Sequence, residues 1–312
     1  FFEYVFTGKG IGNVNNIPVK KLKELRKSFD YWYPLDYNIS AVELVPNHMT
    51  FSIFHHVVLF PKSKWIKGEI GLGMGNLNGK KMSASKGHVI IVTDITEELG
   101  ADLVRLFLMN FVEPWQDFDW NTKTVTQMSK TLKNKLAEIL DLAKEAKSGK
   151  LENLTSFDKW ILSRTNTIVK EVTLLMDKFL LRKSIQILFF EFLKDLKYYT
   201  VLNPHVLHYI LSRWAIMMSP FIPHFSEELG EKLGTGLIVN SDWPKVEKKY
   251  IDETAEALKE SSDLLEKDIQ KVIGLSGIKT PKVAIIIIAD EWKYSLFKEA
   301  NKIKEETKTK PR

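Results

Sequence analysis

Asn78-Gly79-Lys80-Lys81-Met82-Ser83-Ala84-Ser85-Lys86-Gly87 is the stretch on which the reading of this chain turns. Asn-Gly is the dipeptide that two-residue hairpin loops select, because both central positions need a positive φ. Three lysines and two serines follow it before the next glycine. A mobile loop of that make-up offers cationic and hydroxyl donors suited to a triphosphate. No G-x-x-x-x-G-K-[ST] spacing occurs, so this is not a Walker loop. On composition alone the same residues also suit a solvated surface turn.

Upstream, Gly68, Gly71, Gly73 and Gly75 lead into the hairpin without the G-x-G-x-x-G spacing of a dinucleotide fingerprint. Val42 to Val45 reads as a buried strand ended by Pro46-Asn47, and His48 to Phe60 as a buried helix with Met49, Ile53, Val57 and Phe60 at helical spacing. Lys20 to Phe29 has a short amphipathic period, followed by the turn-like Tyr31-Trp32-Tyr33-Pro34. His48, His55 and His56 cluster without carboxylates at ligand spacing, which favours packing over metal.

Downstream the pattern turns helical. Asp94 is placed to cap a helix that Gly100 ends, and Ala101 to Asn110 forms another. Pro114 to Trp120 is an aromatic connection, and Ser148-Gly149-Lys150 marks a boundary. From Thr155 to Leu233 four periodic segments predict a bundle. The first, capped by Ser156 or Asp158, uses Ile161, Ile168, Val172, Leu175 and Phe179; the second runs from Ile185 to Tyr199. Val206 to Met218 is the third, and His224 to Leu233, closed by Gly234, the fourth. Trp160 and Trp214 fall at core spacing. The tail predicts a helix over Asp252–Val272, a strand over Val283–Ala289 and a helix over Tyr294–Lys304.

The chain has 312 residues, 44% hydrophobic and 27% charged, which is ordinary globular composition and about two domains' worth of length. With no cysteine, disulfide frameworks, thiolate nucleophiles and cysteine-bound metals are excluded, and a reducing cytoplasm is the expected location. No apolar run approaches the roughly 20 residues that span a bilayer. A start at Phe1-Phe2-Glu3, without Met, suggests a fragment. Net charge is +6, and from Asn121 to Lys150 seven lysines face only Glu138, Asp141 and Glu145. Such a stripe suits either a solvated helix face or a polyanionic partner.

Lys81-Met82-Ser83-Ala84-Ser85 resembles the KMSKS loop of class I aminoacyl-tRNA synthetases. Its surroundings are similar to leucyl-tRNA synthetases of the archaeal and eukaryotic type: Phe29 to Asp36, Val45 to Phe51 with Phe54-His55-His56, Gly100 to Leu106, and Asp117-Phe118-Asp119-Trp120. So are Trp160 to Arg164, Pro220 to Leu229, and Pro281-Lys282 through Glu291-Trp292-Lys293. The resemblance covers nearly the whole chain in the family's order. It implies a fold of three parts: an α/β Rossmann-type catalytic remnant, an α-helical anticodon-binding-type bundle and a partial small α/β C-terminal domain. With a connective helical region between the first two, the expected limits are 1–92 for the catalytic part with its loop, 93–150 for that connective region, 151–245 for the bundle and 246–312 for the tail.

The resemblance also implies chemistry. Leucine and ATP, with Mg²⁺, condense to leucyl-adenylate, and the leucyl group passes to a leucine-accepting tRNA. Lys81, Ser83 and Ser85 take the catalytic positions, and Lys81, Met82, Ser83, Lys86, Glu43 and His48 the ATP-binding ones. Lys123, Lys130, Lys133, Arg164, Arg182, Lys183 and Arg213 are the candidate tRNA contacts. No metal site of the protein's own is implied, and oligomeric state is left open. The HIGH-type motif, the editing domain and the leucine pocket do not appear, so this chain is expected to be a C-terminal portion, inactive in aminoacylation alone. Three departures stand out: Ala84 replaces the loop's second lysine, His88 an asparagine, and Ser40-Ala41-Val42-Glu43-Leu44 a Ser-Gly-Lys-Asp-Leu segment. Losing one transition-state donor costs about 2.7–4 kcal/mol. Two alternatives therefore stand beside the ligase: a non-catalytic tRNA-binding paralogue, and an isoleucyl, valyl or methionyl relative.

Overall fold

A computed structural model describes residues 1–10, 17–200, 203–277, 283, 285 and 289–308. Two compact units emerge, Phe1–Ala255 and Glu256–Arg312. The last of the expected limits, after residue 245, lies ten residues before this division.

The first unit begins with helices α1 (Phe2–Thr7) and α2 (Val19–Trp32). Leu22 and Phe29, seven residues apart on α2, turn inward. There Phe6, Phe29, Tyr33, His56 and Phe60 form a chain of ring contacts 4.6–5.8 Å apart. Strand β1 (Asn38–Ala41) pairs in parallel with β2 (Glu69–Leu72), Asn38 beside Glu69 and Ala41 beside Leu72. Parallel strands need a crossover, and a helical stretch supplies it. It runs as a 3-10 turn at Val42–Leu44, a π turn at Val45–Met49 and helix α3 (Thr50–Leu59).

Two expectations fail here. Val42 to Val45 is not a buried strand but the opening of the crossover, with Val42 and Val45 exposed. Pro46 sits at an early helical position, where its missing N–H has no intrahelical duty. The following helix is not buried either: Met49 is, while Phe51, Phe54 and Val58 are exposed.

The hairpin expectation holds. Strands β3 (Gly75–Leu77) and β4 (Lys80–Lys81) pair antiparallel through Asn78 (φ 50°) and Gly79 (φ 79°). Later, β5 (Phe118–Trp120) joins β3 in parallel, so part of the aromatic connection is a strand. The glycines before the hairpin serve close packing: a Cβ on Gly73 would lie 2.1 Å from the Gln116 carbonyl oxygen. Between the strands lie α4 (Val92–Leu99) and α5 (Ala101–Phe111). Asp94 stands in the first turn of α4 rather than capping it.

Helix α6 (Thr122–Ala143) is capped by Asn121, whose Oδ1 accepts the Thr124 N–H. The bundle follows as α7 (Ser156–Asp177), α8 (Leu181–Ile185), a π turn at Gln186–Glu191, α9 (Phe192–Tyr198), α10 (Pro204–Met218) and α11 (Pro223–Leu233). Thr155, not Ser156, caps α7, in a reciprocal capping box with Asp158. Phe179 lies past the helix end. The bundle core holds Trp160 and Trp214, as their spacing predicts. The Trp214 indole N–H donates to the Leu188 carbonyl oxygen, 2.6 Å away.

Helix α12 (Glu253–Ser276) runs into the second unit, where α13 (Glu291–Lys308) also lies. Of the strand expected over Val283–Ala289, most residues lie outside the described ones. Among the described residues no helix is long and apolar enough to cross a membrane.

Candidate functional site

The turn after β4 is tightly closed. The Ser83 N–H donates to the His88 carbonyl oxygen (2.7 Å), and the N–H groups of His88 and Lys86 donate back to the Ser83 carbonyl oxygen (3.1 and 3.2 Å). Ala84–Lys86 forms a 3-10 turn inside that ring. Gly87 closes it at φ 65°, a conformation costly for any residue with a Cβ. The His88 ring binds the Leu77 carbonyl oxygen through Nε2 (2.9 Å), and since a carbonyl only accepts, Nε2 carries the proton. So the residue that departs from the family's asparagine clasps the loop to its own strand. The loop expected to be mobile is a pinned turn.

Inside the ring the hydroxyl oxygens of Ser83 and Ser85 lie 3.1 Å apart, and Lys86 is exposed. Met82 points the other way. It packs against a small core of Leu99, Val104, Phe107, Trp120 and Val125. Of the expected ATP-binding set, Met82 is therefore an anchor, and its main-chain N–H is taken as well, by the Gly75 carbonyl oxygen at 3.3 Å.

Lys81 Nζ lies 3.1 and 3.3 Å from the two Glu43 carboxylate oxygens. Both side chains are more than half exposed, so the pair is worth no more than about 1 kcal/mol. Its meaning is positional. Glu43 stands just past the carboxyl end of β1, where ligands of parallel α/β sheets bind. The turn and the crossover thus meet at the place expected for a nucleotide. His48, in the π turn, is exposed, and its N–H bonds to Asn47 Oδ1.

The other two clustered histidines serve the helix: Nδ1 of His55 and of His56 bind the carbonyl oxygens of Phe51 and Ser52, each at 2.7 Å. Among the described residues no group of three His, Cys, Asp or Glu could hold a metal ion.

The cationic candidates divide. Lys123, Lys130 and Lys133 lie exposed on α6, and none is in an ion pair among the described residues. Arg182 and Lys183 are exposed at the start of α8, where their main-chain N–H groups donate to the buried Glu113 carboxylate. Arg164 and Arg213 are taken up by the scaffold. Arg164 bridges Glu191 and Asp195, both at 2.9 Å, and is largely buried. Arg213 pairs with Glu247 and lies over the Tyr209 ring, 3.6 Å from its centre. Sequence spacing shows a helix position but not the acidic partner waiting across the bundle, so both arginines leave the set of exposed contacts.

Comparison with known proteins matches residues 6–142 to the family described as "tRNA synthetases class I (M)" and residues 158–288 to "Anticodon-binding domain of tRNA ligase". A leucine–tRNA ligase of Pyrococcus horikoshii is 36% identical over 95% of the chain, and one of Methanococcus maripaludis 37% identical over 96%. The chain spans 32% of the length of each. Among solved structures, an Agrobacterium radiobacter LeuRS in a ternary complex with tRNA and LeuAMS superposes with a TM-score of 0.61. It is 21% identical and covers 70% of this chain, which covers 29% of it. Methionyl-tRNA synthetase of Mycobacterium tuberculosis, bound by methionyl-adenylate, gives 0.53 at 16% identity, with 67% of this chain and 45% of that one covered. At those identities the structures speak for the fold alone.

Proposed function

Since this chain belongs to the class I tRNA synthetases and matches about a third of a leucine–tRNA ligase, we propose that it supplies two parts of such a ligase. These are the phosphate-gripping loop and the tRNA-binding bundle. The observation that carries the reading is Lys81 set beside Glu43 at the carboxyl end of β1.

In the reaction proposed, a leucine carboxylate oxygen attacks the α-phosphorus of ATP, which arrives with Mg²⁺ as substrate. The bond from that phosphorus to the bridging oxygen breaks, and pyrophosphate leaves with the electron pair. Negative charge grows on the departing group, so fixed donors aimed at it do most of the work. The ammonium of Lys81 offers up to three such donors, and the hydroxyls of Ser83 and Ser85 two more. Lys86 adds long-range charge, while Glu43 and His48 flank the nucleotide. Pinning by His88 and Met82 keeps the donors in place, which lowers the ordering cost of gripping phosphate. In the second step a ribose hydroxyl of the tRNA attacks the leucyl carbonyl and AMP departs. Lys123, Lys130 and Lys133, with Arg182 and Lys183, then track the tRNA backbone. A reducing cytoplasm suits a chain without cysteine.

The test is binding of a leucine-accepting tRNA transcript to this chain over a salt series. Log affinity should fall linearly with log salt, and Lys130→Ala and Lys133→Ala should each reduce the slope by about 1. Salt-independent binding, or slopes unmoved by both changes, overturns the tRNA assignment.

A further inference from the structure

Helix α5 serves two cores at once. Leu103 and Leu106 belong to the bundle core, while Val104 and Phe107, one residue further round, belong to the small core on which Met82 rests. A three-residue spacing on each face is what a helix needs to touch two bodies.

Polar contacts lock the bundle side. Asp102 accepts the Phe225 N–H at 2.7 Å and the His224 ring Nδ1–H at 2.9 Å, and so caps the first turn of α11. One turn on, Arg105 donates from NH2 to the Pro220 carbonyl oxygen (2.6 Å) and from Nε to that of Phe221 (3.1 Å). The middle of the α10–α11 connection and the first turn of α11 are thereby held by residues three apart. At the far end of α5, Glu113 caps α8 through the N–H groups of Arg182 and Lys183. The clamp also adjoins the tRNA face. Asp102, Lys133, His224 and Glu228 line one groove of about 520 Å³, so a phosphate held by Lys133 lies beside the Asp102–His224 contact.

We propose that Asp102 and Arg105 are positioning residues which couple tRNA on the bundle to the stance of the Lys81 loop. This rests on the function proposed above. Close-packed cores do not deform gradually, so a shift of α11 against α5 passes through α5 to Met82 and the turn it anchors. Among the described residues the clamp is the polar hold of α5 on the α10–α11 connection and the start of α11, and breaking it leaves both apolar cores in place while freeing α11 to shift without carrying α5.

The coupling is a measurable factor, because whatever tRNA does to affinity at the loop, a loop ligand does equally to tRNA. Inorganic pyrophosphate is titrated into this chain with and without saturating leucine-accepting tRNA. The wild type should show affinities that differ at least fivefold. In Asp102→Ala and Arg105→Ala that ratio should fall to about one, with each separate affinity within threefold of wild type. Asp102→Glu should restore part of it. Glu113→Gln, which keeps its shape, is the second variant should the alanine changes unfold the chain, and should reduce the ratio at least twofold. A ratio of one in the wild type, or an undiminished ratio in folded variants, overturns the proposal. If neither tRNA nor pyrophosphate binds, the functional reading beneath it fails, and the proposal with it.

Discussion

Removing the Lys81 ammonium should weaken pyrophosphate binding by an amount the structure bounds. A charged hydrogen bond to a phosphate oxygen contributes about 1.5–3 kcal/mol. Against it stands the Lys81–Glu43 pair, 3.1 Å long but more than half exposed on both sides, which must be broken first at about 0–1 kcal/mol. The net loss in Lys81→Ala is then about 0.5–3 kcal/mol, or roughly 2- to 160-fold in affinity. Glu43→Gln gives the opposite sign: it frees Lys81 and should tighten binding by no more than about fivefold. Isothermal titration with inorganic pyrophosphate at low salt measures both. In the double variant the effect of Glu43→Gln should vanish, because no ammonium is left to release. A Lys81→Ala affinity within twofold of wild type refutes the reasoning, as does a tenfold loss in Glu43→Gln.

Three further outcomes follow from the scaffold. Asp158 is buried and accepts from the Thr155 N–H and hydroxyl and from the Tyr199 hydroxyl, so Asp158→Ala should cost about 3–5 kcal/mol. That lowers the melting temperature on the order of 10 °C; a shift below 2 °C contradicts it. The hydrogen bond from Lys64, with Arg26 nearby, holds the Asp30 carboxyl below its ordinary value. Its folded pKa is depressed, so its stabilisation is complete above the unfolded value near 3.9 and is lost as pH falls through the lower folded one. Asp30→Asn should therefore flatten the acid limb of the stability profile below about pH 4, and an unchanged limb in acid melts tells against the pairing. Gly73→Ala drives a methyl group into the Gln116 main chain and should loosen β3 from β5, lowering the melting temperature and weakening pyrophosphate binding together; an affinity unchanged in a destabilised variant separates the loop from its sheet.

Where a signal is local, the sequence carries it. Asn78-Gly79 specifies the hairpin because only positive φ closes a two-residue turn, and the bundle's periodic faces specify its buried side. Val42 to Val45 misled because a short apolar run has no periodicity of its own. The residue that arbitrates is Pro46, which ends a strand and opens a helix equally well. Capping by Thr155 was one residue from the position expected, since Ser, Thr and Asp all accept an N–H and only the backbone chooses among them. At the candidate site, lysine and serine content singled out the turn whose Lys81 lies beside Glu43. Three features lay out of reach: the inward Met82, the His88 clasp and the acids that take up Arg164 and Arg213. Each depends on a partner between 11 and 34 positions away, or on which face of a turn a side chain leaves by.

The central claim, that this chain carries the working loop and bundle of a leucine–tRNA ligase, is tested most directly by grafting. The matched third of the Pyrococcus horikoshii ligase is replaced with this chain, and leucine-dependent exchange of pyrophosphate into ATP is measured. Exchange that needs leucine and drops at least tenfold with Lys81→Ala is the predicted result. A graft that melts cooperatively and binds tRNA, yet exchanges nothing with leucine even after lysine is restored at Ala84, contradicts the account and leaves a tRNA-binding relative without adenylate chemistry.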